Sequence, residues 1–176
     1  GYTVAETGGS TSVSETLITD TFTVVLGTQP TGNVVFDVSS SDTGEASVSS
    51  STLTFTTGDW SSAQTITITG VNDNIDDGDQ FSTITVSVNG STVDATYTAL
   101  DNQTVNVTTT DNDTAGFTVS ESGCSTSVSE TGTTDTFEVV LNTEPTGNVV
   151  FDLTSENTEE ATLSSSLLTF NTDNWN

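Results

Sequence analysis

Residues 64–88 read QTITITGVNDNIDDGDQFSTITVSV, two alternating segments on either side of an acidic turn. In the first, Ile66 and Ile68 alternate with Thr65, Thr67 and Thr69; in the second, Ile84 and Val86 alternate with Thr83, Thr85 and Ser87. An apolar period of two over five to eight residues is the pattern of a half-buried strand, and Thr suits the solvated face of one. TFTVVL (21–26) and NVVFDV (33–38) extend the pattern toward the N-terminus, and no stretch sustains a helical period. The chain therefore reads as all-β. Strands are expected near 2–6, 11–15, 19–26, 33–39, 51–56, 63–71, 80–88 and 103–110, with room for a further short one near 92–98. Gly8-Gly9, Gln29-Pro30-Thr31-Gly32, Thr57-Gly58-Asp59 and Asn89-Gly90 mark turns between them. Seven or more short strands at this spacing fit an immunoglobulin-like β-sandwich. Its core candidates are Phe22, Val24, Leu26, Val35, Leu53, Phe55, Ile66, Ile68, Phe81, Ile84, Val86, Val105 and Val107, with Trp60 closing one end.

An internal repeat organises the rest. Gly1 set on Gly116 gives an ungapped alignment in which 40 of 61 positions are identical. GYTVAETGGSTSVSET faces GFTVSESGCSTSVSET, and DTFTVVLGTQPTGNVVFDV faces DTFEVVLNTEPTGNVVFDL. The period is 115 residues, a common size for one sandwich domain. Residues 1–115 are expected to form a complete repeat, and 116–176 the N-terminal half of a second. Half a sandwich leaves strand edges and an apolar face in water. Two readings answer that: the missing strands follow in the same chain, or another chain supplies them, as in strand-donating filaments.

Charge excludes most other functions. The chain has 25 Asp plus Glu and no Lys, Arg or His, a formal net charge of −25. With no cation to meet phosphate, nucleic-acid binding is excluded, and anionic membrane surfaces repel the chain. No apolar run approaches the roughly 18 residues of a spanning helix, so no membrane insertion is expected. Triads with His, Schiff-base chemistry and arginine clamps are also unavailable. One Cys and no His leave neither a zinc site nor an internal disulfide. What remains is carboxylate, amide, hydroxyl and backbone oxygen, the ligands of a hard cation such as Ca2+. The 64 Ser and Thr would suit a disordered stalk, but the alternating strands argue against one.

The acids are clustered. Asp73, Asp76, Asp77 and Asp79 share the 71–81 loop, and Asp111 and Asp113 follow the strand near 103–110. Runs of surface carboxylates are usually just solvated. Here strand order brings both clusters to one pole, where a bound cation would relieve their repulsion.

SVSET, PTGNVVFDV, LTF, QTITITGVNDNIDDGDQF and TTDND, in that order, resemble a Calx-beta domain over the whole of residues 1–115 and over the second copy as far as it runs. That family includes regulatory modules of sodium–calcium exchangers and integrins, and tandem arrays in bacterial and archaeal surface, adhesin or filament proteins. The resemblance implies tandem immunoglobulin-like (Calx-beta-like) sandwich domains with calcium at one pole. Position by position it implies the ligands Glu15, Asp42, Asp73, Asp76, Asp79, Asp111 and Asp113. Asp77 lies in the same loop, and Glu130 matches Glu15 in the second copy. Asn72, Asn74 and Asn112 stand where Asp is common, and Asn157 replaces Asp42, which lowers the charge offered to the ion. Only Thr114 and Ala115 separate Asp113 from the second copy, so an ion there is expected to stiffen the junction.

The function expected from all this is structural: a calcium-stabilised repeat of a secreted surface, adhesin or filament protein, serving as a stiff extracellular spacer and not as an enzyme. The expected partners are neighbouring repeats. Copies of the chain in a filament and cell-surface glycans are the alternatives, although aromatics that would stack on sugars are scarce. Cys124 occupies the place of Gly9, so the fold does not require a thiol there. The sequons at Asn89, Asn102, Asn106 and Asn112 are weak signals in so Asn- and Thr-rich a chain.

Overall fold

The alternating segments become strands because each can put one face on a common core. The computed structural model describes residues 1–176. It divides into two compact units, one of residues 1–73 and 77–112, the other of residues 74–76 and 113–176.

The first unit is a two-sheet sandwich. One sheet orders β1 (Tyr2–Glu6), β3 (Thr19–Leu26), β7 (Gln64–Gly70) and β5 (Ala46–Val48) as β1-β3-β7-β5. The other orders β2 (Thr11–Ser14), β9 (Gln103–Thr110), β8 (Gln80–Val88), β4 (Val34–Ser40) and β6 (Thr52–Phe55) as β2-β9-β8-β4-β6. All pairings are antiparallel except β2 with β9, which is parallel with Thr11 opposite Val107. Phe22, Val24, Ile66 and Ile68 from the first sheet and Phe36, Phe55, Ile84 and Val86 from the second belong to one buried core. Removing each such side chain from water stabilises the fold by about 1.5–3 kcal/mol.

Two core expectations fail, both on phase. Val35 is only half-buried because Val34, Phe36 and Val38 point inward from β4. Phe81 is 78 % exposed because Ser82, Ile84 and Val86 hold the inner face of β8. The segment near 92–98 is a run of turns and not a strand, while β5, a strand not expected, pairs with β7. Those turns are pinned by Asp94, 4 % exposed, whose carboxylate accepts from the backbone and hydroxyl of both Thr31 and Thr96. They seat Tyr97 in the core with its hydroxyl donating to the Thr28 carbonyl at 2.6 Å. Trp60 packs at the core margin, as expected of it.

The second unit contains two ribbons: β10 (Phe117–Glu121) with β11 (Phe137–Leu141), and β12 (Val149–Asp152) with β13 (Leu167–Phe170). Their registers are those of the first unit displaced by 115 residues: Phe117 faces Leu141 as Tyr2 faces Leu26, and Val149 faces Phe170 as Val34 faces Phe55. The aromatic contacts follow the same displacement. Phe117–Phe151 and Phe151–Phe170 centroids lie 4.8 and 5.8 Å apart, against 4.5 and 6.1 Å for Tyr2–Phe36 and Phe36–Phe55. No helix is long and apolar enough to cross a membrane.

Candidate metal centre

Strand direction assembles the acidic pole. β2, β4, β7 and β9 end there, at Ser14, Ser40, Gly70 and Thr110, and β3, β5 and β8 start there, at Thr19, Ala46 and Gln80. The pairs Ser14–Thr110, Ala46–Gly70, Thr19–Thr69 and Gln80–Thr109 keep these ends level. Gly70 is the tight point, since a methyl group on it would overlap the Ser14 carbonyl. Only glycine lets the end of β7 approach β2 so closely.

Glu15 follows directly. Its backbone N–H donates to the Thr110 carbonyl at 3.2 Å, and its side chain is 2 % exposed. Oε2 accepts from the Asn112 backbone at 3.2 Å and from Asn112 Nδ2 at 2.9 Å; the same Nδ2 donates to Asn72 Oδ1. Carboxylate oxygens of Glu15 and Asp111 lie within 4.8 Å of each other, and Asp113 belongs to the second unit. Like charges at such a distance repel by about 3 kcal/mol at an effective dielectric of about 20. No Lys, Arg or His exists to offset that.

The acidic loop closes over the same end. Asp111 Oδ2 accepts from Gly78 N at 2.7 Å, and Asp79 Oδ1 accepts from Asp111 N at 3.2 Å. Gly78 sits at φ +75°, a conformation that favours glycine, and so turns the loop back toward β8. Asp76 is engaged elsewhere, its Oδ2 accepting from Ala115 N at 2.7 Å within the second unit. Asp42 caps its own turn through Gly44 N at 2.9 Å. Glu130 is exposed in the second unit, just after an irregular stretch of chain.

One acid at this pole escaped the sequence reading. Glu45 is anchored by its carbonyl, which accepts from Val71 N at 2.9 Å and from the Thr109 hydroxyl at 3.2 Å. Its Oε2 is buried and has no hydrogen-bond partner. Burial raises the carboxyl from its ordinary 4.5 to about 7, and the charges of Asp77, Asp73, Asp42 and Glu15 add to the effect. A signal for it existed in the repeat: Glu160 keeps the acid in the second copy, whereas Asp42 becomes Asn157.

The donor set fits a hard divalent cation. Every group is an oxygen ligand or an amide, several carboxylates converge, and one buried carboxylate oxygen lacks a partner. Glu15 and Asp111 form the geometric nucleus, with Glu45, Asp73 and Asp77 as the flanking charge.

No family model and no curated relative matches the chain. Among solved structures, it is similar to the apo-form Calx CBD1 domain, at 16 % identity, 64 % of this chain, 98 % of that one and a TM-score of 0.43. It is also similar to SSP-19, an MSP-domain-like protein of Caenorhabditis elegans, at 16 % identity, 61 % and 97 % coverage and a TM-score of 0.39. The class 5 fimbriae chaperone CfaA gives 6 % identity, 98 % and 81 % coverage and a TM-score of 0.46. The fold assignment rests on the strands and registers above, and no function is carried over from these likenesses.

Proposed function

We propose that the chain is a non-enzymatic structural module of an extracellular surface protein, and that Ca2+ stabilises its acidic pole. The observation that carries this reading is the partnerless buried Glu45 Oε2, set among carboxylates in a chain that has no cation of its own. Glu15 and Asp111 would hold the ion, with Glu45 as a neighbouring carboxylate of raised pKa and one partnerless oxygen. The ion would supply the missing positive charge. The protein's part is to fix the oxygens, which it does through the backbone anchors of Glu15 and Glu45. An extracellular setting suits a weak site, because calcium ligands in extracellular modules work at roughly 0.1–1 mM.

The test is a thermal melt of the chain in chelator, in 2–5 mM CaCl2 and in NaCl of matched ionic strength. At 2–5 mM calcium and a dissociation constant of roughly 0.1–1 mM, a ligand bound only by the folded form adds about 0.6–2.3 kcal/mol. Calcium should therefore raise the Tm by several degrees beyond the sodium control. Equal melting in calcium and in sodium would remove the metal from the reading.

A further inference from the structure

A two-sheet sandwich has edge strands, and an open edge offers its backbone N–H and C=O groups to any passing strand. Lysine and proline are the common guards. This chain has no Lys, and its two prolines, Pro30 and Pro145, both lie outside the strands. Its first unit closes the edges differently: three edge strands are capped by a side chain from the opposite sheet. Gln103 of β9 acts on β1 as a strand would, its Oε1 accepting from Val4 N at 3.3 Å and its Nε2 donating to the Tyr2 carbonyl at 2.8 Å. Asp20 of β3 accepts from Ser12 N of β2 at 3.1 Å. Gln64 of β7 donates from Nε2 to the Thr54 carbonyl of β6 at 2.7 Å. The fourth edge strand, β5, is only three residues long.

β6 is closed at several points. The Ser51 carbonyl accepts from Val38 N, so alternate residues face β4 and the backbone groups of Thr52 and Thr54 point outward. Ser50 Oγ donates to the Thr52 carbonyl at 2.7 Å and accepts from Thr52 N at 3.4 Å, and Asp59 Oδ1 accepts from Thr56 N at 2.6 Å. The second unit repeats this on β13. Ser165 takes both backbone groups of Leu167, while Asn174 takes Asn171 N and the Thr169 carbonyl. The same backbone positions are thus held in both copies, in part by different side chains. β6 is also where charge protects least, since residues 46–58 hold no acid in a chain of net charge −25. Uncharged segments of high strand propensity are those that pair with their own kind. We propose that β6 is a self-pairing surface held shut by Ser50 and Gln64, and that without these caps it joins antiparallel to β6 of a second copy of this chain. A two-fold axis at Thr54 sets Thr52 of each copy opposite Thr56 of the other, and the outward backbone groups complete the ladder. The proposal stands apart from the calcium reading and needs no ion.

The experiment is sedimentation equilibrium of the whole chain and of its Ser50→Ala, Gln64→Ala double variant, in chelator and about 150 mM NaCl, where charges are screened beyond about 8 Å. The variant should dimerise at least about tenfold more tightly than the wild type, with new amide-exchange protection confined to residues 52–56. Adding Thr54→Pro removes the N–H at the centre of the new ladder and should return the variant to monomer. No gain in association would overturn the proposal. So would a dimer that survives Thr54→Pro, or one whose protection appears at β1 or β2 instead. If the double variant does not fold, Gln64→Ala alone decides by the same readouts, because it frees one surface carbonyl and removes no core side chain.

Discussion

At the scale of single residues, Glu45 carries the strongest electrostatic statement in the chain. Its carboxyl is raised from 4.5 to about 7 by burial and by the neighbouring acids, so the folded state favours the protonated form. The sign follows from linkage: the contribution to stability is fully present below about pH 4.5 and is lost as the pH rises through about 7. Without metal, the chain should lose stability between pH 5 and 8, and Glu45→Gln should flatten that slope by removing the titrating group. Calcium should reverse the effect in the wild type, since it competes with the proton for the same oxygens, and should do less in the variant. Melts at pH 5 and pH 8, in chelator and in calcium, check all of this. An unchanged slope in Glu45→Gln would mean that Glu45 is not the group that titrates. The sequence pointed to Asp42 instead, an acid in a stretch where resemblance expects one. Asp42 spends an oxygen on the Gly44 amide of its own turn, whereas Glu45 lies at the β5 boundary, where backbone bonds to Val71 and Thr109 fix it.

At the scale of elements, most of the sandwich was legible because period-two patterning and turn residues agree. QTITITG and STITVSV admit only one inward phase. NVVFDV does not, as its adjacent valines fit either face, and neighbouring strands settle the choice for Val34, Phe36 and Val38. Phe81 could have been placed from its own strand: it shares parity with Thr83, Thr85 and Ser87, all on the outer face. The inner face of β8 instead admits Ser82, whose buried hydroxyl finds no partner. The acidic pole was legible for a topological reason, since alternating strand directions bring the loops after β7 and β9 to one end. β5 was not, because a three-residue strand has too little pattern to read. The meeting of β2 and β7 at that pole yields the prediction for this scale. Gly70→Ala in the intact chain forces a methyl against the Ser14 carbonyl, and overpacking of this kind costs about 1–3 kcal/mol. A first unit of this size should then melt lower by roughly 4–8 °C per kcal/mol lost. Because Glu15 follows Ser14, the variant should also weaken calcium binding; a variant with wild-type Tm and calcium response would show that β7 can shift without cost.

At the scale of the whole molecule, charge sets the terms on which the fold holds. The chain carries 25 acids and no Lys, Arg or His, so folding gathers like charge that an extended chain spreads out. Monovalent salt relieves the repulsion between exposed carboxylates by screening, whereas a site-bound divalent ion relieves the part held at the acidic pole. One experiment separates the two. Raising NaCl from about 10 mM to about 150 mM shortens the screening length from about 30 Å to about 8 Å, and the Tm in chelator should climb with it. Calcium added at the higher salt should raise the Tm further, and by less in Glu45→Gln than in the wild type. A calcium increment that vanishes at about 150 mM NaCl would mean that the ion acts by screening alone and holds no site.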